Sequence, residues 1–356
     1  MPIHLAARSK SARASYCSLP RFVISLRVVI DLQSSRFGRH GSCVRVRTLL
    51  VASEGGHLLE LYLLSERMGL TKECVWITFD TPQSRALLAG KEVFFAPFAG
   101  TRDVIGTARA TIWARAFLRA NRFDRVVSTG ASLALAVLPL ASLAGTDCYY
   151  IESATRIEGP SLTGRLLTPF RSIHFRTQHK RWANRRWEHE TSIFDGYRSF
   201  PAAHPSEPQS IVVSLGLHRG FGFRRLLERL VEIVPDGTEV LWQVGDTDAS
   251  GLGIDFHRSL QTPKLAQAMA DSDVVITHAG IGSAITALES GKRPIFVPRR
   301  KQFKEHVDDH QVSIAGELDR QGLVFHVEAD EIQWSDIVRA AAWRVQYDKH
   351  SHLPVD

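Results

Sequence analysis

The sequence has few cysteines and no pattern that would use them. Only four occur among its 356 residues, far apart and without a CxxC pair. Neither a disulfide framework nor a thiolate zinc site is therefore indicated, and a reducing compartment fits best. Charged residues make up 23% and hydrophobic residues 44% of the chain, a balance that excludes a disordered or multi-span membrane protein.

Apolar segments long enough for a membrane span are also missing. Residues 22–30 are apolar, but Arg27 interrupts them, and a spanning helix needs about 20 such residues. Residues 131–143 are apolar as well, yet Pro139 lies among them, which favours a buried helix of the protein core. No convincing signal-peptide cleavage site follows the first segment, so we do not predict secretion.

The net charge of +7 is concentrated at one end of the chain. Residues 1–47 contain nine basic residues and one acidic residue, whereas the remaining residues are close to neutral. We predict a basic, disordered N-terminal extension over residues 1–45, with an upstream untranslated stretch and a membrane-surface anchor as the other interpretations. A local charge excess of this kind does not indicate a nucleic-acid-binding body.

From residue 46 onward, short apolar runs alternate with segments of helical period, which predicts α/β architecture. Three prolines in a polar stretch indicate a linker over residues 199–209. The predicted fold is two doubly wound Rossmann-like domains, 46–198 and 210–335, facing a central cleft. Residues 336–356 are expected to form a C-terminal helix, over 337–347, and a tail.

Two strand-to-helix turns in the first half carry glycine. The first predicted strand ends in Ala52-Ser-Glu-Gly-Gly-His57, and a later one in Ser128-Thr-Gly130. Backbone N–H groups at such turns bind anions at a helix N-terminus, so we expect Gly55, Gly56, Thr129 and Gly130 to meet anionic groups such as phosphates. His57 is positioned to act as a general base near neutral pH. The dinucleotide fingerprint GxGxxG is not met here.

The second half contains a richer turn. A predicted strand ends at His278, followed by Ala-Gly-Ile-Gly-Ser283. Gly280 and Gly282 allow close backbone approach, and Ser283 opens a helix whose N-terminus can hold a diphosphate. Further on, Pro298-Arg-Arg-Lys301 precedes Glu305-His-Val-Asp-Asp-His-Gln311.

These motifs resemble the donor half of GT-B glycosyltransferases. Within that fold they are similar to the group that contains MurG, whose donor half is the glycosyltransferase family 28 C-terminal domain. The first half, through Ser53-Glu-Gly-Gly-His57, Ser128-Thr-Gly130 and Tyr150-Ile-Glu-Ser153, resembles the acceptor-side subunit of the two-subunit dolichyl-diphosphate N-acetylglucosamine transferase. The chain thus resembles a fused form of that enzyme. The stretch from Pro298 to Gln311 is also similar to bacterial exopolysaccharide transferases, including glucuronosyl-transferring ones.

The resemblance implies roles for individual residues. Gly280, Gly282 and Ser283 would meet the donor diphosphate, and His310 and Gln311 would face the donor sugar. Thr286 stands where these families commonly carry a ribose-binding glutamate, so Glu289, one turn later, is the substitute candidate. Arg299, Arg300 and Lys301 could pair with a carboxylate on the donor, the alternative being a solvated basic loop. Ser214 and Gly216 would form a further phosphate-side loop, Gln243 would lie near the uridine, and His278 is a further donor-side residue. The acceptor diphosphate would be met by Gly55, Gly56, Thr129 and Gly130.

A metal or cofactor is not expected. Asp246-Thr-Asp248 matches the DxD metal signature of another glycosyltransferase fold, but helix dipoles and backbone donors take that role in this one. His306 and His310 are predicted one helical turn apart in a helix over 306–320. A zinc site would need a third ligand, which spacing does not supply.

We therefore expect an inverting, metal-independent glycosyltransferase. It would move a sugar from UDP-glucuronate or UDP-N-acetylglucosamine to a polyprenyl-diphosphate-linked saccharide in exopolysaccharide or cell-envelope glycan assembly. His57 is the expected base, with Glu152 as the alternative. The expected location is cytoplasmic, peripherally associated with the inner face of the membrane, without nucleic acid. A UDP-sugar 2-epimerase of the same fold and a non-catalytic membrane- or nucleic-acid-binding protein are the other functions considered.

Overall fold

The computed structural model describes residues 46–70, 74–100, 103–204, 206–216 and 220–348. The predicted N-terminal extension, residues 1–45, and the end of the predicted tail lie outside this part. Two parallel sheets with helices on their faces account for most of it, which confirms the predicted fold class. Among the described residues, no helix combines the length and apolar character needed to cross a bilayer.

The first sheet has seven parallel strands in the order β3-β2-β1-β4-β5-β6-β7. Its strands are β1 Thr48–Ala52, β2 Cys74–Phe79, β3 Glu92–Ala96, β4 Arg125–Gly130, β5 Asp147–Ile151, β6 Ile173–Thr177 and β7 Trp187–His189. Its helices are α1 Gly56–Arg67, α2 Pro82–Leu87, α3 Val104–Ala120, α4 Ala131–Leu143 and α5 Leu162–Leu167. The chain order reverses between β1 and β4, so the loops after these two strands lie side by side at the switch point.

The second sheet has six parallel strands in the order β11-β10-β9-β12-β13-β14. Its strands are β9 Ser210–Ser214, β10 Glu239–Gln243, β11 Phe256–His257, β12 Val274–Thr277, β13 Ile295–Phe296 and β14 Phe325–His326. Its helices are α6 Arg224–Ile233, α7 Thr262–Asp271, α8 Ile281–Glu289, α9 His310–Arg320 and α10 Trp334–Ala341. Its switch point lies between β9 and β12.

The end of the chain differs from the sequence prediction. The helix predicted over residues 337–347 was wrong in its second half, because α10 ends at Ala341 and β15 follows over Trp343–Tyr347. This strand pairs antiparallel with β8, Tyr197–Pro201. The first three residues of the predicted linker, 199–201, therefore belong to a strand. The alternating segment Trp343-Arg-Val-Gln-Tyr347 buries Val345 and finds its backbone partners in β8 and, on the other side, at Gly291 and Lys292. Tertiary pairing therefore overrides local helical period here.

One apolar cluster joins the two domains. It contains Leu58 and Leu61 of α1 together with Ile281, Ile285 and Leu288 of α8, all buried. Non-directional burial of this kind is the main stabilising term in packing two helices. The N-terminal ends of α1 and α8 are thereby brought to the same cleft.

A buried carboxylate fixes α1 to its own sheet. Glu60 accepts hydrogen bonds from the Ser153 hydroxyl (2.8 Å), the Ala154 backbone N–H (3.2 Å) and the Gln178 amide (3.1 Å). Burial nevertheless raises the pKa of Glu60 to about 7, and these hydrogen bonds only partly oppose the shift. Glu60 thus links the helix that carries His57 to the loops after β5 and β6.

Glu60 makes the stability of the protein depend on pH. Because its pKa is about 7 in the native state and 4.5 as the reference value, its contribution is fully present below pH 4.5 and is lost as the pH rises through 7. Glu60→Gln removes this loss. The free energy of unfolding of the variant minus that of the parent should therefore increase by on the order of 2 kcal/mol from pH 5 to pH 8. Thermal unfolding at both pH values measures this. Glu66→Gln, on the exposed side of α1, is the control, and an equal pH dependence in the two variants would contradict the assignment.

Candidate functional site

The loop after β1 approaches the second domain closely. Gly55 caps α1 with φ 80° and without a side-chain cap bond, and its N–H donates to the Gln83 amide oxygen (3.0 Å). A positive φ of this size favours glycine. A Cβ on Gly56 would lie 3.7 Å from the Cβ of Ile281, in the first turn of α8. The predicted acceptor-side turn and donor-side helix therefore meet across the cleft.

His57 and Thr129 hold each other by two hydrogen bonds. The ring Nδ1 lies 3.0 Å from the Thr129 carbonyl, and the Thr129 hydroxyl donates to the His57 carbonyl (2.7 Å). Since a carbonyl only accepts, Nδ1 carries the hydrogen and Nε2 keeps a lone pair. Gly130 has φ 123° and Ala131 has φ 59°, an uncommon value for a residue with a Cβ. The turn that orients His57 is thus strained, as functional turns often are.

Electrostatics keep this imidazole neutral. Burial, followed by the positive charge of Arg156 and by His310, lowers the pKa of His57 to about 4, while the hydrogen bond to Thr129 opposes the shift. His57 belongs to the first domain and His310 to the second, so these two predicted site residues interact electrostatically across the cleft. At neutral pH the ring is an uncharged proton acceptor.

Glu152 has surroundings different from those of His57. It is buried and accepts hydrogen bonds from the Ser161 backbone (2.9 Å), the Ser161 hydroxyl (3.0 Å) and the Ser153 backbone (3.1 Å). Tyr150 adds a fourth donor at 3.2 Å. Burial raises the pKa of Glu152. These contacts tie the start of α5 to the end of β5, and the role of alternative base stays a prediction.

On the donor side, one imidazole is packed between two glycines. A Cβ on Gly216 or on Gly280 would collide with the ring of His278. Gly216 also has φ 72°, and the ring Nδ1 of His278 lies 3.4 Å from the Ser214 carbonyl. Both glycines are therefore required by the close approach of His278, which draws the loops after β9 and β12 together.

The N-terminus of α8 faces open space. Gly280 caps this helix without a side-chain hydrogen bond, and a Cβ on Gly282 would meet nothing within 4 Å. The Thr286 hydroxyl donates to the Gly282 carbonyl (2.9 Å). The backbone N–H groups at Gly282 and Ser283, in the first turn, are suited to an anion by position and by the helix dipole.

Other predicted donor residues are committed to contacts within the protein. The Gln243 amide donates to the Ser214 hydroxyl (3.0 Å) and accepts from the Leu260 backbone (2.9 Å). Glu289, at the far end of α8, lies 3.5 Å from the Tyr197 hydroxyl. The structure therefore does not bring Glu289 to the cleft beside the first turn of α8, and Thr286 is the nearer of the two ribose candidates.

The two arginines after β13 differ sharply. Arg299 is fully buried, and its Nη2 donates to the Leu215 carbonyl (2.7 Å). Its backbone N–H donates to the Gln311 amide oxygen (3.0 Å). Its Nε and Nη1 have no hydrogen-bond partner within the described residues, and burial lowers its pKa to about 10. Arg300 pairs with Glu328 (3.3 Å). Neither guanidinium is an exposed cation in the cleft.

The segment before α9 contains a residue that the sequence reasoning missed. The helix predicted over 306–320 begins only at His310, so His306 and Asp308 lie in the turn before it. There Asp308 contacts the Nδ1 atoms of both histidines, that of His306 at 3.3 Å. Burial and the nearby His310 lower the pKa of His306. Helical spacing brings together residues three or four apart in the sequence. Asp308 is two residues from each histidine, so helical spacing could not indicate it as their partner.

Asp246 and Asp248 lie apart from this cluster. Asp246 accepts from the Gly220 backbone (2.9 Å) and Asp248 from the Ser250 backbone (3.0 Å). Each carboxylate thus orders the loop after β10 through local backbone bonds. The expectation that this DxD sequence does not hold a metal stays a prediction.

Two facing α/β domains with parallel sheets and a cleft at the carboxyl ends of their strands constitute the GT-B fold of glycosyltransferases. Residues 222–334, most of the second domain, match the family described as Glycosyltransferase family 28 C-terminal domain. The UDP-N-acetylglucosamine transferase subunit ALG13 of Yarrowia lipolytica is 43% identical over 60 residues, which are 17% of this chain and 29% of that protein. The chain thus spans less than a third of the length of the curated relative it matches.

Solved structures extend the similarity to both domains. MurG of Acinetobacter baumannii has a TM-score of 0.56 at 17% identity, over 83% of this chain and 89% of that one. A Listeria monocytogenes protein assigned as a UDP-N-acetylglucosamine 2-epimerase has a TM-score of 0.54 at 13% identity, over 84% and 92%. At these identities the shared feature is the fold. The expected GT-B fold and the expected resemblance to MurG and to the family 28 C-terminal domain are confirmed.

The open N-terminus of α8 gives a direct test of the donor loop. We expect Gly282→Val to reduce UDP affinity at least about tenfold, because its side chain fills the space in front of the first helical N–H groups. Titration calorimetry with UDP measures this. Gly316→Val, at an exposed glycine of α9 whose surroundings are equally open, should bind UDP as the parent does. Equal UDP affinity in both variants would contradict the placement of the donor.

Proposed function

We propose that this protein is an inverting, metal-independent glycosyltransferase that moves a sugar from a UDP-sugar to a hydroxyl of a polyprenyl-diphosphate-linked saccharide, in exopolysaccharide or cell-envelope glycan assembly. The observation that carries the proposal is the pairing of His57 with Thr129, which leaves Nε2 able to accept a proton. The uncapped first turn of α8 faces the same cleft. A base and an anion site across one cleft are the two requirements of this reaction.

The reaction follows from this arrangement. The acceptor oxygen attacks the anomeric carbon from the face opposite the diphosphate, a new C–O bond forms, and the bond between the sugar and the diphosphate oxygen breaks. His57 Nε2 takes the proton of the acceptor hydroxyl. UDP leaves with the bonding electrons, and the N–H groups at the start of α8 stabilise its negative charge. The negative charge of the bound diphosphate raises the pKa of His57 from its low value, which makes it a better base when donor is present.

Between the two donors expected from the sequence, the contacts favour UDP-N-acetylglucosamine. A glucuronate carboxylate would need an accessible cation, but Arg299 is buried and Arg300 is paired with Glu328, which leaves Lys301 as the exposed member of the predicted triplet. The relative from Yarrowia lipolytica is described as a UDP-N-acetylglucosamine transferase subunit. We therefore propose UDP-N-acetylglucosamine as the donor.

Replacing His57 tests the chemistry. We expect His57→Ala to lower the turnover of a soluble short-chain polyprenyl-diphosphate acceptor by about 10²-fold or more, with UDP affinity nearly unchanged, because the base acts on the acceptor. His174→Ala, at an exposed ring on the same domain, is the control. For the parent, activity should fall as the pH drops through about 4, where His57 of the free enzyme is protonated. Unchanged turnover, or epimerisation of UDP-N-acetylglucosamine without acceptor, would overturn the proposal.

Association with a membrane surface is supported by exposed apolar side chains toward the carboxyl edge of the first sheet, which we call the apolar patch. The patch consists of side chains that are 52–80% exposed, and they lie at the start of α3, on α5 and in the loop after β3. Helix N-termini and the loops after parallel strands both lie at the carboxyl edge of a sheet, where the acceptor is expected. Exposed arginines, Arg109 and Arg165, occupy the same two helices. The patch comprises Phe98, Val104, Ile105, Leu162 and Leu166.

Exposed apolar side chains on helices that also carry exposed arginines suit an anionic lipid surface. We expect the double variant Ile105→Glu, Leu162→Glu of the full chain to bind vesicles containing anionic phospholipid about fivefold or more weakly than the parent, as measured by co-sedimentation. Val231→Glu together with Val338→Glu, at exposed valines of the second domain, is the matched control. Equal binding by the two double variants would show that the patch is not the membrane contact.

A further inference from the structure

Three side chains with metal-binding atoms converge at the start of α9. The ligand atoms of His306, Asp308 and His310 all lie within 4.8 Å of one another. The two imidazole rings are 4.7 Å apart and nearly perpendicular, with Asp308 between their Nδ1 atoms. The His306 side chain is 7% exposed, whereas those of Asp308 and His310 are 42% and 23% exposed. The cluster therefore has one anchored ligand and one side that solvent reaches.

The donor set and its spacing select a particular class of ion. A tetrahedral zinc site with bonds of about 2.0–2.1 Å separates neighbouring ligand atoms by about 3.3 Å. The His306 Nδ1 and Asp308 Oδ1 atoms are 3.3 Å apart, whereas the His310 Nδ1 lies closer to the same oxygen and must move outward for all three atoms to bind one ion. Two imidazole nitrogens and one carboxylate oxygen suit Zn²⁺ and similar transition ions, whereas Mg²⁺ and Ca²⁺ prefer oxygen ligands. Three protein ligands with a solvent-accessible side leave a fourth position open.

We propose that His306, Asp308 and His310 bind a divalent transition ion of the Zn²⁺ class. The transfer reaction proposed above does not use this ion. His310 would serve both the ion and the donor sugar, however, so the two ligands would compete. This last step alone rests on the proposed function, and the ion site itself does not.

Cobalt is a suitable probe, because Co²⁺ replaces Zn²⁺ in such sites and its visible absorption reports coordination by protein ligands. We expect Co²⁺ titration of the full chain, without nucleotide, to give a visible band that excess Zn²⁺ removes. Asp308→Asn should weaken Co²⁺ binding about tenfold or more, since it exchanges an anionic ligand for a neutral amide. Asp248→Asn, in the DxD sequence, should leave the band unchanged. Equal affinity in the parent and Asp308→Asn, or loss of the band in Asp248→Asn, would overturn the site.

A second variant separates ligation from folding. His306→Gln should also lose the Co²⁺ band, and its thermal unfolding without metal should stay close to that of the parent. If Zn²⁺ raises the unfolding temperature of the parent but not of His306→Gln or Asp308→Asn, the ion is bound by the folded cluster. An equal rise in all three proteins would place the ion elsewhere and contradict the inference.

Adding UDP-N-acetylglucosamine distinguishes this inference from the proposed function. We expect the donor to weaken Co²⁺ binding to the parent, because both ligands need His310. If Co²⁺ affinity is unaffected by saturating donor, the metal site stands and the placement of the donor sugar against His310 is wrong. If Co²⁺ does not bind in the absence of donor, the metal site is wrong and the transferase proposal is untouched.

Discussion

The packing of α1 against α8 is the constraint on which the site depends. Each helix begins at the switch point of its own sheet, and burial of Leu58, Leu61, Ile281 and Ile285 in one cluster holds the two helices together. Because helix N-termini carry partial positive charge, the cleft is positive from both sides before any side chain is considered. The protein can then use uncharged groups there, such as the neutral His57, and still attract a diphosphate.

Much of the fold could be predicted from hydrophobic period and turn residues. Apolar runs marked the buried parallel strands, and glycine-containing turns marked the ends of β1, β4 and β12, because such strands are apolar on both faces. The sequence could not reveal β15, whose partner β8 is distant in the chain. It also could not separate α9 from the turn before it, since the segment from His306 to Gln311 is compatible with a helix. The turn is held by contacts with the preceding loop, such as the Lys301 backbone N–H with the Asp309 carboxylate (2.9 Å).

The candidate site was predicted unevenly for a physical reason. Glycines and His57 were found because close backbone approach and an ionisable group at a strand end leave a local signature. The contacts of Arg299 and Gln243 leave no such signature in the sequence. Whether a polar side chain faces a ligand or bonds a buried group of the protein depends on its three-dimensional neighbours. The same holds for Glu60, an ordinary helical glutamate in the sequence that becomes a buried anchor in the structure.

The ribbon of β8 and β15 has a mechanical consequence. The chain leaves the first domain through β8, builds the whole second domain, and returns in β15 to pair with the strand by which it left. The Asp348 backbone N–H continues this ladder by donating to the Gly196 carbonyl (2.7 Å). Both ends of the second domain are thus fastened at one place, so a rotation that admits or releases substrate has its pivot there. Such a joint restricts sliding between the two domains, and any opening of the cleft about it must also separate α1 from α8.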